Sequence, residues 1–345
     1  MRPAFPATLA SAGLALSLLC IGTPARAQEA PTPGGPPPAS TAPPPAEDAT
    51  PEGGTLKVRV NLVNTYFSAR DKGGYLTGLH KDDCQVFENR EPQTIKNFTQ
   101  EKNLPLTIGI LLDTSGSMQN ILPLEKEAGA TFLKDVLTPK DEAFLINFDI
   151  NVDLLSDYTN SNRELRRALD KAEINTGAGT GSVTGNSTPR GTLLYDAVYL
   201  ATHDKLRQEA GRKVVVMITD GEDQGSQVKA KEAIEAAQKS NAIIYVILVS
   251  DPQFGGFGTL HFGGGEMDTL TKQTGGRVIN GGNGRKLDAA FQQIADELRT
   301  QYLVSYTPKN ANIDGTFRTI NITCGGDAKI QSRKGYYAVA DSNTE

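Results

Sequence analysis

Leu106-Thr107-Ile108-Gly109-Ile110-Leu111-Leu112 is a short apolar run bounded by polar residues, and Val214–Ile218 and Ile243–Val249 have the same character. Strands read this way when helices cover a parallel sheet on both faces and leave no side for water. Stretches with helical apolar spacing fall between these runs. Leu165, Ala168, Leu169 and Ala172 follow a capping-box pattern, Ser161-x-x-Glu164. Leu194, Ala197, Val198 and Ala201 form a second stripe, Leu287–Leu298 supplies a third, and Thr274-Gly275-Gly276 ends a shorter helix. Alternation of the two kinds from 104 to 300 predicts an α/β fold, a doubly wound, mostly parallel sheet with crossover helices. Ala143–Phe148 and Val152–Leu155 are close enough for a hairpin at one sheet edge.

The flanks read differently. Leu56–Val63 and Phe317–Cys324 alternate apolar and polar with period two, and Asn310–Gly315 supplies a turn between Tyr302–Tyr306 and the second of them. A β-sandwich built from both flanks is expected, with 55–103 as its N-terminal part and 301–340 as its C-terminal part.

Polar clusters stand where the buried runs end. Leu112 is followed by Asp113-Thr114-Ser115-Gly116-Ser117, Ile218 by Thr219-Asp220-Gly221-Glu222-Asp223, and Gly191-Thr192 opens a helical segment. Ligands of open α/β sheets bind beyond the carboxyl ends of strands, where strand order reverses. Two carboxylates and three hydroxyls, from Asp113, Ser115, Ser117, Thr192 and Asp220, form a set of hard oxygen donors suited to Mg²⁺ or Mn²⁺ and poorly to zinc. The bland alternative makes Asp113 and Ser117 a cap for the helix expected directly after Ser117, whose positive end would also face the site.

This arrangement resembles the von Willebrand factor type A domain and its metal-ion-dependent adhesion site. Asp113, Ser115 and Ser117 match the family's Asp-x-Ser-x-Ser; Thr192 and Asp220, the latter in Thr-Asp-Gly, match its second and third elements. The resemblance covers roughly 104–300 and implies a Rossmann-like fold. It further implies that the three hydroxyls coordinate the ion, that the two aspartates act largely through water, and that a partner protein's Asp or Glu carboxylate completes the shell. Specificity would then lie in surrounding loops, including 175–190 and 253–265. Gly78-Leu79, Gln85–Glu88 and Arg333–Tyr337 resemble flanking motifs of secreted bacterial proteins related to this domain.

Other chemistries fit less well. Ser115 interrupts the Asp-Thr-Gly turn of an aspartic peptidase, and no second such triplet supplies the paired carboxylate. His80, His203 and His261 fall in a flank, a helix and a loop without a nucleophile elbow, so a hydrolase is the least favoured reading. The glycine-rich stretch Gly255–Gly265 lacks the Lys-Ser/Thr of a phosphate-binding loop. Asp196, Glu222 and Asp223 are left outside the metal set: Asp196 reads as solvated or paired with a Lys or Arg, and Glu222 and Asp223 as raising the local negative potential or capping the next helix. A purely structural domain remains the alternative to a metal-dependent binding module.

Arg2, the apolar stretch Leu9–Gly22 and Ala25-Arg26-Ala27 read as a secretory signal peptide over 1–27, which is preferred to a lipoprotein signal at Cys20 because Leu19 precedes that cysteine. Residues 28–54, proline-rich and almost free of large apolar side chains, read as a spacer. No later apolar run approaches the ~20 residues of a membrane helix, so a secreted or periplasmic protein without membrane insertion is expected. Loss of two arginines with the signal takes the formal charge from −5 to −7, which argues against nucleic acid as a partner. Cleavage also removes Cys20. Cys84 and Cys324 then remain, one in each flanking β segment, and an oxidising destination favours a bridge between them over two buried thiols.

Overall fold

The computed structural model describes residues 62–101, 104–175, 191–250 and 264–339. Five strands precede the first buried run: β1 (Val63–Asp71), β2 (Gly74–Tyr75), β3 (Cys84–Glu88), β4 (Glu91–Gln93) and β5 (Ile95–Gln100). The run itself is β6 (Leu106–Asp113), followed by α1 (Leu122–Val136), β7 (Glu142–Phe148), β8 (Val152–Thr159) and α2 (Asn162–Lys171). Next come α3 (Leu194–Tyr199), β9 (Arg212–Thr219), α4 (Ala230–Lys239), β10 (Ala242–Val249), α5 (Gly264–Thr274), β11 (Val278–Gly282) and α6 (Leu287–Thr300). The chain closes with β12 (Tyr302–Tyr306), β13 (Phe317–Cys324), β14 (Lys329–Ser332) and β15 (Gly335–Tyr337).

The apolar runs form the middle of a six-stranded sheet ordered β11-β10-β9-β6-β7-β8. All neighbours are parallel except β8, which returns antiparallel to β7 at the edge, as the hairpin reading requires. Every residue of β6 and β9 is buried. Ile108, Ile110 and Leu112 pack into one core with α1, α2 and α6, while Leu111 faces the other with α3, α4 and α5. Gly109 has a specific cause: a Cβ there would lie 2.4 Å from Cζ of Phe144, its register partner on β7. Strand order reverses between β6 and β9, because the chain winds from β6 out to β8 and then back through β9 to β11.

The flanks build two antiparallel sheets, β14-β1-β12-β5 (with β2 on β1) and β15-β13-β3-β4. Phe317–Cys324 alternates strictly between exposed and buried, so one face supplies Ile320, Ile322 and Cys324 to a core shared with Phe67, Val86, Tyr302 and Val304. Cys84 and Cys324 are direct register partners on β3 and β13 and are joined by a disulfide that spans 240 residues. Most of the strand expected over Leu56–Val63 lies outside the described residues, as do 1–27 and 28–54; β1 begins at Val63.

Three local expectations are corrected. The α-helix does not begin after Ser117: Gly116–Met118 makes one 3-10 turn, and α1 starts at Leu122. Pro123 is the reason, since proline fits only the first turn of a helix and would clash with a preceding carbonyl in its interior. The capping box at α2 is half made. Ser161 Oγ accepts from Glu164 N (3.4 Å), but the Glu164 carboxylate accepts from Thr159 Oγ1 (2.8 Å) instead of closing the box. The helix after Thr192 begins at Leu194 and passes at Leu200–Lys205 into a π-helical turn, which the apolar stripe alone could not reveal.

Glu297 of α6 ties the central sheet to the flanking one. Its carboxylate is 1% exposed and accepts from Ser68 Oγ (3.2 Å), Tyr75 OH (2.9 Å), Tyr245 OH (2.9 Å), Arg277 Nε (3.0 Å) and Gln331 Nε2 (2.7 Å). These donors come from β1, β2, β10, the segment before β11, and β14. A buried carboxylate with its lone pairs filled is tolerated; the same charge left unpaired costs several kcal/mol.

The disulfide closes most of the described chain into one loop, so its opening should be costly. Urea midpoints with and without reductant are expected to differ by about 2–5 kcal/mol of stability. Thiol titration of denatured, unreduced mature protein should find no free thiol.

Candidate functional site

Parallel pairing of β6 with β9 brings their carboxyl ends side by side. Asp113, the last residue of β6, is fully buried. Its Oδ2 accepts from Oγ1 of Thr219, the last residue of β9, at 2.6 Å, and its Oδ1 accepts from Ser115 N at 3.0 Å. This second bond turns the chain so that Ser115 and Ser117 face Asp220. The Ser115 and Ser117 hydroxyl oxygens lie 3.1 Å apart, and Ser117 Oγ donates to Asp220 Oδ2 at 2.6 Å. On the β9 side, Gly221 takes a left-handed backbone (φ +87°) and its N–H donates to Thr219 Oγ1, while Glu222 N donates to Asp220 Oδ1.

Neither Asp113 nor Ser117 caps α1, whose N-cap is Ile121 without a side-chain cap. The capping alternative for this pair is therefore removed. Thr192 approaches by another route. It is buried, and its backbone pairs in both directions with Gln224 (3.0 and 2.9 Å), four residues after Asp220. The structure thus joins Asp113, Ser115, Ser117 and Asp220 in one network through Thr219. Thr192 is set beside that network by its backbone.

Three further residues frame the loops and were not read from the sequence. Asp149, just beyond the β7 end, accepts from Thr114 Oγ1 (2.8 Å), Asn151 N (3.0 Å) and Asn175 Nδ2 (3.1 Å), and its backbone oxygen accepts from Leu193 N (2.8 Å). Asn147 Nδ2 donates to Thr114 Oγ1 at 3.2 Å. The available signal was that Asp149 follows a third buried strand of the same sheet. The other nearby acids have structural duties. Asp223 accepts from the N–H groups of Leu194 and Tyr195, Asp196 from those of Gln227 and Val228, and Glu222 from the Gln224 amide. Of the loops expected to tune specificity, 175–190 and 253–265, residues 176–190 and 253–263 lie outside the described residues, as does His261.

The electrostatics are one-sided. Burial, then the negative charge of Asp220, pushes the Asp113 carboxyl up to about 7, against hydrogen bonds from Ser115 and Thr219 that pull it down. Glu125, fully buried on α1, is held well above the usual carboxylate range by burial, then by Asp113 and Asp220. Among the described residues no lysine or arginine is among the groups acting on either acid. Among the described residues no three His, Cys, Asp or Glu side chains lie close enough to share an ion, so a cation here would rely on the hydroxyls. The donor set suits that role: all oxygen, mixed hydroxyl and carboxylate, with an excess of negative charge.

Comparison with known proteins is consistent in kind. Residues 108–222 match the family model of the von Willebrand factor type A domain. Similar solved structures include BatB from Bacteroides thetaiotaomicron, at 21% identity over 56% of this chain and 97% of that one, with a TM-score of 0.43. Proximal thread matrix protein 1 from the mussel byssus, in a form with a zinc-occupied adhesion motif, shares 19% identity over 57% of this chain and 46% of its own, with a TM-score of 0.44. The von Willebrand factor domain of the type V pili tip protein Mfa5 from Porphyromonas gingivalis shares 13% over 57% and 95%, with a TM-score of 0.42. No curated protein sequence matches.

In chelator, the folded protein holds protons on Asp113 and Glu125 more firmly than the unfolded chain does. That part of the stability is complete at pH below about 4; the Asp113 share is lost as pH rises through about 7, and the Glu125 share is lost well above the usual carboxylate range. Asp113→Asn removes one titrating acid. Thermal melts in chelator should show the variant gaining on wild type as pH rises from 5 to 7.5.

Proposed function

From a chain whose residues 108–222 are a von Willebrand factor type A domain, we propose an exported, metal-dependent protein-binding module that recognises an acidic residue on a partner. The observation that carries this reading is the Asp113–Ser115–Ser117–Asp220 network at two adjacent strand ends, with no basic side chain among the described residues acting on Asp113. Ser115, Ser117 and Thr192 would hold Mg²⁺ or Mn²⁺ through their hydroxyls, and Asp113 and Asp220 would orient those hydroxyls and compensate charge. When bound, the ion supplies a coordination position for a carboxylate oxygen of the partner.

The chain's own residues do the rest. Thr219 and the Ser115 N–H occupy both oxygens of Asp113, which fixes its carboxylate plane under the site. Asp220 orients the Ser117 hydroxyl. Asp149 holds Thr114 and Leu193, so the loop carrying Ser115 and the approach of Thr192 share one anchor. Ser117 and Asp220 are only half-buried, which leaves the site open toward an incoming surface. The module is read as non-catalytic: the described histidines, His80 and His203, stand beside Asp83 and Asp204 and not beside a serine or cysteine nucleophile. Export is supported by Arg2, Leu9–Gly22 and Ala25–Ala27, and by the Cys84–Cys324 bridge, which belongs to an oxidising compartment. Among the described residues no helix is long and apolar enough to cross a membrane.

Calorimetric titration with Mn²⁺ tests the site: Asp113→Ala should weaken binding at least ~10-fold while the sheet stays folded, and equal affinity would overturn the assignment. Partner capture should be abolished by chelator and restored by Mg²⁺ or Mn²⁺. In a captured partner, one exposed Asp or Glu changed to Asn or Gln should weaken binding at least ~10-fold, about 1.4 kcal/mol.

A further inference from the structure

Glu125 has no role in the site as built so far. It stands in the first turn of α1, on the buried stripe that includes Leu122, Ala128 and Phe132, and it is 0% exposed. Neither carboxylate oxygen has a hydrogen-bond partner, and among the described residues no other carboxyl has both oxygens buried and unpaired. The contrast with Glu297 is plain: that equally buried acid collects five donors. The negative charges of Asp113 and Asp220 also act on Glu125, and no basic group among the described residues offsets them.

A buried carboxylate needs a partner or positive charge, because its desolvation otherwise costs several kcal/mol. An apolar residue would pack this helix stripe at no such cost. The acids around Glu125 belong to the cation site, so positive charge arriving there is what the position lacks.

We infer that Glu125 is an outer carboxylate of the cation site: it does not ligate the ion, yet it strengthens the ion's retention through the local field. The inference rests on the metal-binding reading above. An outer place, not a ligand's, follows because no three acids approach closely enough to share one ion. Low effective dielectric around a buried group lets such a charge act over a longer distance than at the surface. A third acid balances more of the ion's charge from below, which favours keeping the ion when no partner is bound.

The test is Mn²⁺ titration of the full mature chain as wild type, Glu125→Gln and Glu127→Gln. Glu127 is an exposed acid on the same helix, paired with Arg166 at 2.8 Å, and controls for loss of charge alone. Glu125→Gln should weaken Mn²⁺ binding about 10-fold or more, within the range seen for groups just outside the ligand shell, and Glu127→Gln should leave it unchanged. Thermal melts separate this from packing. In chelator Glu125→Gln should melt no lower than wild type, and saturating Mn²⁺ should raise its melting temperature by less. Equal Mn²⁺ affinity in Glu125→Gln and wild type overturns the inference and leaves the site reading intact. Lower stability in chelator with an unchanged Mn²⁺ gain also overturns it. If wild type itself binds no Mn²⁺, the site reading falls and the inference with it. Should Glu125→Gln not fold, Glu125→Met, similar in length and uncharged, is put through the same two measurements.

Discussion

The hydrogen bond from Thr219 to Asp113, 2.6 Å long, spans the point where the sheet changes winding direction. It joins the last residue of β6 to the last residue of β9, and the loops that carry Ser115, Ser117 and Asp220 start from those two ends. If β6 and β9 were separated by another strand, the same side chains would be about 10 Å apart, two strand spacings, instead of one. Parallel pairing is therefore the condition for the site. The apolar runs that make the pairing possible also bury Asp113, so the sheet's cohesion and the raised proton affinity of that carboxylate have one origin.

Much of this was legible because burial on both faces leaves an unambiguous trace. Leu106–Leu112, Val214–Ile218 and Ile243–Val249 contain almost nothing polar, and polar residues begin where each strand stops. Alternation in Phe317–Cys324 marked a sheet with one wet face, and the cysteine pair linked the two flanks across the chain. What stayed hidden depends on contacts made across the fold. Glu125 falls on the apolar stripe of α1, and only its surroundings separate an unpaired acid from one that reaches solvent. Asp149 gains its importance from Thr114 and Asn175, each remote in sequence. The late start of α1 was readable from Pro123, but the serines preceding it resemble caps closely enough to mask that signal.

Polar groups also fill places where apolar ones would serve. In the flanking sandwich, Glu88 is 3% exposed and accepts from Tyr306 OH and Tyr336 OH, with Arg318 as its counter-ion. Arg333 reaches Asn241 beside β10 and the backbone of Asn64 on β1. Glu88 thus ties flanking strands to one another, while Arg333 and Glu297 make directional contacts between the central sheet and its flanks. Apolar contacts permit sliding; hydrogen bonds to a buried charge hold one relative placement, because every alternative leaves that charge unpaired.

The register of β1 and β12 has a mechanical meaning. The strands are antiparallel, with Val63 opposite Tyr306 and Phe67 opposite Tyr302, and β12 joins α6 at its Tyr302 end. Tension entering through the chain before Val63, and resisted by the central sheet, pulls the two strands from opposite ends. Their hydrogen bonds lie across the direction of pull. Such a junction is loaded in shear and its bonds must fail together, whereas a strand pulled from the same end as its neighbour peels one bond at a time.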